Sequence, residues 1–290
     1  MTQEPFTLIT GASEGFGRAL AIECAQKGMN LVLVALPGSE LGELAGYIRE
    51  NTTVEVLCFE KDLSEETHCY ELFEEINKIH VAINMLINNV GIGSTSFFKD
   101  TSPAFFEKQI RVNISATTLI TRLFLEKLMA NKRSYILNVG SLSSYFFLPK
   151  KSVYGSTKSY IYYFSKSLER ELRPLGVQVS VVCPGGMNTN AVVTFQNRCS
   201  TWFARNAAMN PEEVAAIAIN GLLSRKSVII PGMINQLFKL FDNFLPQFIK
   251  TYLTDRQMRT QQLPPLTIPR LYKARHSNPS LGLAGVPVRR

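Results

Sequence analysis

Thr10-Gly11-Ala12-Ser13-Glu14-Gly15-Phe16-Gly17 lies between an apolar run, Phe6-Thr7-Leu8-Ile9, and a segment of helical period, Arg18–Lys27. Each glycine has its own physical use. Gly11 permits a tight turn, Gly15 lets a backbone approach a pyrophosphate, and Gly17 lets a helix pack closely on a strand. Backbone N–H groups at the helix start then face the phosphates. An ordinary βα turn would also explain a lone glycine-rich loop, so the rest of the chain must decide.

Short β-branched or Leu-rich runs recur at Thr7–Thr10, Asn30–Ala35, Glu55–Phe59, Ala82–Asn88, Tyr135–Val139, Gln178–Cys183 and Val228–Ile230. Helical periods separate them at Gly17–Lys27, Glu40–Asn51, Glu65–Ile79, Pro103–Asn131, Ser152–Arg173 and Pro211–Ser224. Strands alternating with helices require crossover connections, which makes this an α/β chain with a doubly wound, parallel, seven-stranded sheet covered on both faces. Ligands in such sheets bind outside the carboxyl ends of the strands, so function is sought in the segments that follow them.

The bulk composition narrows the classes. With 290 residues, 46% hydrophobic and 19% charged, the chain can bury a full core. No apolar run approaches the roughly 18 residues that would span a bilayer, and Met1–Phe6 carries no secretory pattern. Five scattered cysteines (Cys24, Cys58, Cys69, Cys183, Cys199) suit free thiols in a reducing compartment, so the cytoplasm is expected. Three histidines without ligand spacing leave no metal site. The net charge of +8 owes much to Arg270, Lys273, Arg275, Arg289 and Arg290, and nothing else supports nucleic-acid binding.

Later strand ends repeat one pattern. Asp62-Leu63 follows the third strand, Asn88-Asn89-Val90-Gly91 the fourth, and Pro184-Gly185-Gly186-Met187-Asn188-Thr189 the sixth. Ser141 lies just past the fifth strand, and Tyr154-Gly155-Ser156-Thr157-Lys158 opens a long helical segment. The i,i+4 spacing puts the phenol and the ammonium on one helix face. A tyrosine with a reference pKa of about 10 exchanges protons near neutrality only beside positive charge. Singly, each feature has a plainer reading: a helix-start acid, a turn, a surface pair, a turn-forming serine.

Together and in this order, they resemble the short-chain dehydrogenase/reductase family over residues 5–231. The resemblance implies a cofactor site comprising Gly11, Ser13, Glu14, Gly15, Phe16, Gly17, Asp62, Leu63, Asn89, Gly91, Tyr154, Lys158, Pro184, Gly185, Met187 and Thr189. It implies catalysis by Ser141, Tyr154 and Lys158, with Asn113 linking the lysine to solvent through water and Ser143 as the alternative to Ser141. Val90 and Met187 depart mildly from the family's residues. Either NADP or NAD is implied. The stretch Ala35-Leu36-Pro37-Gly38-Ser39 carries no ribose-reading acid, which favours NADP, although Glu14 stands where NADP-users are often basic.

The expected substrate pocket comprises Gly91–Lys99, Tyr145–Ser152 and Ala191–Asn210, with Tyr145, Phe146, Phe147, Phe195, Trp202 and Phe203 making it apolar. An acyl-chain, lipid-like or steroid-like ketone or alcohol fits it. Residues 1–232 form the catalytic domain, 233–260 an amphipathic helical extension and 261–290 a basic, flexible tail. In Ile234–Leu253, Ile234, Leu237, Phe238, Phe241, Phe244, Leu245, Phe248 and Tyr252 form an apolar stripe opposite Lys239, Asn243, Gln247 and Lys250. That helix packs on its own domain or a subunit of a homo-oligomer, covers the cleft, or touches a membrane surface through 234–253. A catalytically idle dinucleotide sensor or scaffold is the competing class, and a sugar-nucleotide epimerase is disfavoured by the small space left for a substrate domain.

Overall fold

A computed structural model describes residues 4–198 and 202–242. The apolar runs become seven strands: β1 (Phe6–Thr10), β2 (Asn30–Ala35), β3 (Val56–Glu60), β4 (Ile83–Asn88), β5 (Ser134–Val139), β6 (Val177–Val182) and β7 (Val228–Ile229). β1 and β6 are buried at every position, as a strand covered on both faces must be. All pairings are parallel in the order β3-β2-β1-β4-β5-β6-β7.

Two apolar layers flank the sheet. On one face α1 (Gly15–Gln26), α2 (Leu41–Asn51) and α9 (Pro211–Leu223) contribute Leu20, Leu44, Ile48 and Ile219. On the other, α3 (Glu66–Lys78) and α5 (Thr117–Met129) contribute Leu72, Ile76, Ile120 and Phe124. The winding direction reverses between β1 and β4, which opens a crevice at their carboxyl ends.

Three segments differ from expectation. Pro103–Asn131 divides into α4 (Pro103–Ile110), a π-helical stretch Arg111–Ala116, and α5. A π stretch widens the helix locally and aims its side chains where a regular helix cannot. The stretch 191–210 contains α7 (Ala191–Arg198) and α8 (Trp202–Ala207), too short to show a period; α6 spans Ser152–Leu172. Finally, α10 (Met233–Asp242) turns the polar Asn235 inward; of the expected stripe Phe238 packs on Phe146 while Leu237 is exposed, as are Met233 and Leu240. Hydrogen bonds explain that rotation: the Asn235 amide donates to the carbonyls of Pro231 at 2.8 Å and Ala207 at 3.2 Å. The rest of the expected helix, residues 243–253, and the tail 261–290 lie outside the described residues. Among those described, no helix is long and apolar enough to cross a membrane and no group of ligating side chains could hold a metal.

Candidate functional site

The loop after β1 is shaped by close backbone approach. Gly11 and Gly15 adopt φ of +65° and +52°, the left-handed region that glycine enters without strain. A Cβ on Gly17 would lie 1.9 Å from the Gly11 carbonyl oxygen, so only glycine lets α1 start there. Phe16 is buried beneath the loop, Ser13 is half-buried and Glu14 is exposed. The β4 end holds the loop from the other side: the Asn89 amide donates to the carbonyls of Thr10 at 3.1 Å and Gly11 at 2.8 Å. Backbone N–H groups of Asn89 and Val90 donate to the Thr10 hydroxyl. Asn89 therefore shapes the glycine loop.

The other strand ends gather round this loop. Leu63 is buried, and Asp62 accepts from the Ser64 amide at 3.0 Å with Lys108 3.7 Å away. Partial burial opposes the Asp62 charge, but those two contacts outweigh it and hold the carboxyl below its usual range. Thr189, beyond β6, comes within 3.4 Å of where a Gly15 Cβ would stand. Pro184 accepts from the Leu142 N–H at 2.9 Å, which ties the β6 end to the segment after β5. The Asn197 amide donates to the Met187 carbonyl at 3.2 Å. A Cβ on Gly185 would meet the Asn235 side chain at 2.8 Å, so α10 stands directly against the β6 loop. The loop glycines, the open turn and the free helix start form a cradle that fits a dinucleotide.

The expected reaction groups converge at the crevice. Ser141 follows β5, and its hydroxyl hydrogen-bonds with the Tyr154 phenol while accepting from the Ser143 N–H at 3.1 Å. The Lys158 ammonium stands 5.9 Å from the Tyr154 ring centre and donates to the Val139 carbonyl at 2.7 Å. Gly91 lies beside both Lys158 and Asn113; a Cβ there would come 3.5 Å from the ammonium and 3.2 Å from Asn113 Oδ1. Asn113, in the π stretch, accepts from Ile92 N–H at 2.8 Å and donates to Thr157 at 3.0 Å. Burial pushes the Lys158 ammonium down to about 8. Burial also pushes the Tyr154 phenol up, against the opposing hydrogen bond with Ser141. Ser143 is buried with its hydroxyl unpaired and does not take Ser141's place at the phenol.

The expected pocket aromatics separate. Tyr145 packs on Tyr162 at 5.0 Å and donates to Cys183, Phe146 packs on Phe238 of α10 at 4.7 Å, and Phe147 and Phe195 are exposed. The side chains of Trp202 and Phe203 lie outside the described residues. Lys239, expected on the polar face of its helix, stands over the Tyr145 ring at 4.6 Å. Two features escaped the sequence reading. Asn88, Asn138, Thr121 and Ser165 form a buried chain of hydrogen bonds of 2.8 to 2.9 Å across β4, β5, α5 and α6. Asn235 is the other, hidden in a segment that looked only amphipathic.

Comparison with known proteins agrees with this geometry. The family model described as short chain dehydrogenase matches residues 5–199. The chain is 28% identical over 221 residues to a 3-oxoacyl-[acyl-carrier-protein] reductase of Aquifex aeolicus, covering 75% of this chain and 89% of that protein. It is 30% identical over 243 residues to estradiol 17-beta-dehydrogenase 11 of Macaca fascicularis, covering 83% and 79%. Its fold resembles a bulky-bulky ketone specific alcohol dehydrogenase from Comamonas testosteroni, with a TM-score of 0.70 and 26% identity over 93% of this chain and 99% of that one. The chain belongs to the short chain dehydrogenase family, as a nicotinamide-dependent oxidoreductase of alcohol and carbonyl groups.

Proposed function

We propose that the protein reduces an apolar ketone, or oxidises the matching alcohol, with Ser141, Tyr154 and Lys158 as the reacting set and Asn113 positioning the lysine side. The observation that carries this reading is the Ser141–Tyr154 hydrogen bond with the Lys158 ammonium 5.9 Å from the same ring. Bound in the crevice, a reduced nicotinamide supplies the hydride. Ser141 donates to the substrate oxygen and stabilises the charge that develops there. Tyr154 gives its phenolic proton to that oxygen, and Lys158, positively charged nearby, stabilises the phenolate that remains. Oxidation runs the same transfers backwards. Asn113, held by Ile92 and Thr157, fixes the wall of the lysine's cavity.

The cradle residues that would hold the dinucleotide are Gly11, Ser13, Glu14, Gly15, Phe16, Gly17, Asp62, Leu63, Asn89, Gly91, Pro184, Gly185, Met187 and Thr189. The substrate class rests on the Phe146–Phe238 contact, in the segment that follows Ser141, and on relatives whose names specify acyl, steroid and bulky ketones. Cofactor oxidation over a panel of short, long and steroid ketones tests the function; no turnover with any of them, while cofactor binds, would favour an idle sensor.

Self-association is supported by Phe98, just before α4, and Ile110, at its end, which are exposed and line an apolar cleft of about 480 Å³, and by Tyr163, exposed on α6. Sedimentation reads it directly. Exposed Met233, Leu237 and Leu240 support peripheral membrane contact, which vesicle co-pelleting reads. The free thiols Cys24, Cys58, Cys69 and Cys183 fit a reducing compartment such as the cytoplasm.

A further inference from the structure

The turn after β2, Leu36–Ser39, stands where dinucleotide-binding sheets of this kind read the adenosine ribose, and it contains no acid of its own. The neighbouring strand contributes one. Glu60 is the last residue of β3 and stands opposite Ala35 in the parallel register. Its carboxylate accepts from the Gly38 N–H at 3.3 Å, which brings a negative charge onto the very turn that lacks one. Glu14, exposed in the phosphate loop, adds a second.

Three cations near this end are engaged elsewhere, and Arg18 of α1 forms no salt bridge among the described residues. Lys61 pairs with Glu71 at 2.9 Å and Glu75 at 2.8 Å, Lys108 faces Asp62, and Arg49 donates to the Val56 carbonyl at 2.6 Å. Among the described residues neither Glu14 nor Glu60 takes part in a salt bridge. Leu36, 54% exposed, gives this turn an apolar side chain, and Leu36–Ser39 contains no cation. A vicinal ribose diol donates hydrogen bonds that a carboxylate accepts well, whereas a 2′-phosphate requires cationic donors and is repelled by carboxylates.

We propose that Glu60, reaching across from β3, reads the adenosine ribose and makes this protein select NAD(H) over NADP(H). The inference rests on the dinucleotide site described above and reverses the preference that the β2 end alone suggested, because the acid comes from the adjacent strand. Glu60 is a specificity residue; it takes no part in hydride or proton transfer.

Fluorescence titration of the full-length protein with NADH and NADPH tests it without turnover. The wild type should bind NADH about tenfold or more tightly than NADPH at low salt, which is about 1.4 kcal/mol. Glu60→Gln keeps an oxygen for the Gly38 N–H but removes the charge, so the ratio should fall to about threefold or less. Raising salt to about 0.5 M should narrow the wild-type ratio too, because the repulsion is screened. Arg18→Gln should leave the ratio unchanged. Equal or tighter NADPH binding by the wild type, an unchanged ratio in Glu60→Gln, or a ratio set by Arg18 would each overturn the assignment. Failure of both cofactors to bind would remove the dinucleotide reading itself.

Discussion

Gly17 lies beneath Gly11 so closely that its α-carbon has room for hydrogen only, the Gly11 carbonyl oxygen standing 1.9 Å from any Cβ placed there. Gly17→Ala must therefore separate α1 from β1 or break the turn. Melting and NADH titration together should show a loss of more than about 3 kcal/mol in stability and no measurable cofactor binding. An unaltered melting temperature would mean that the helix start yields without cost.

Removing the transferable proton while keeping the ring isolates the role of Tyr154. Tyr154→Phe should abolish turnover and leave cofactor affinity within about threefold, since the ring and the Lys158 side chain remain in place. Ser141→Ala should lower kcat by about 10²–10³ through loss of an oxyanion donor, whereas Ser143→Ala should not. Steady-state kinetics on the three variants decide the assignment; a loss that follows Ser143 would move the donor there.

The lysine makes ketone reduction sensitive to alkali. In the folded protein, burial holds the Lys158 ammonium near 8, so it carries its charge below that pH and loses it above. Tyr154, pushed up by burial, keeps its proton across the same range. The kcat/KM for reduction should therefore be level near neutrality and fall by about tenfold per pH unit beyond 8. A profile that rises through pH 8 would contradict this.

The same burial makes Lys158 costly to the fold. Its pKa falls from 10.5 to about 8 on folding, so below 8 the lysine is charged in both states and its desolvation weakens the native state by about 3 kcal/mol. Between 8 and 10.5 the unfolded chain binds more protons than the native one, and stability rises with pH. Lys158→Met should accordingly melt a few degrees higher than the wild type at pH 7, an advantage that shrinks towards pH 10. Calorimetry at the two pH values measures it; a lower melting temperature at pH 7 would show that the lost Lys158–Val139 bond at 2.7 Å outweighs the relief.

Phe238 couples α10 to Phe146, five residues after Ser141. If this contact borders the substrate, Phe238→Ala should raise KM for long-chain ketones more than for short ones, by up to about 0.8 kcal/mol for each methylene that loses its partner. Cofactor affinity should not change. Equal effects on all chain lengths would confine Phe238 to packing.

The strands were legible because burial on both faces leaves continuous apolar runs such as Leu31–Ala35, and the glycine spacing marked the loop because no other residue fits there. What stayed hidden depends on contacts between distant segments. A π stretch of six residues is too short to change the apolar period of the helices on either side, so Arg111–Ala116 left no mark. α10 looked apolar along one stripe, yet the polar Asn235 chose its inward face by finding the Pro231 and Ala207 carbonyls. Glu60 lay just past the expected third strand, which ended at Phe59, and only the register with Ala35 brings it to Gly38. Ser141 and Ser143 are alike in sequence, and only the fold shows that the Ser141 hydroxyl accepts from the Ser143 N–H while the Ser143 hydroxyl is left unpaired.

Thr10 and Asn89 meet across 79 residues of sequence, the Asn89 N–H donating to the Thr10 hydroxyl and the Asn89 side-chain amide to the Thr10 carbonyl. During synthesis, the glycine stretch leaves the ribosome long before the asparagine that braces it, and β1 waits for β4 to fill the place beside it. A nascent chain that ends before Asn89 carries the phosphate-binding motif without its brace. Cofactor can therefore stabilise the protein only late in its biogenesis, and the central strand must remain shielded until then.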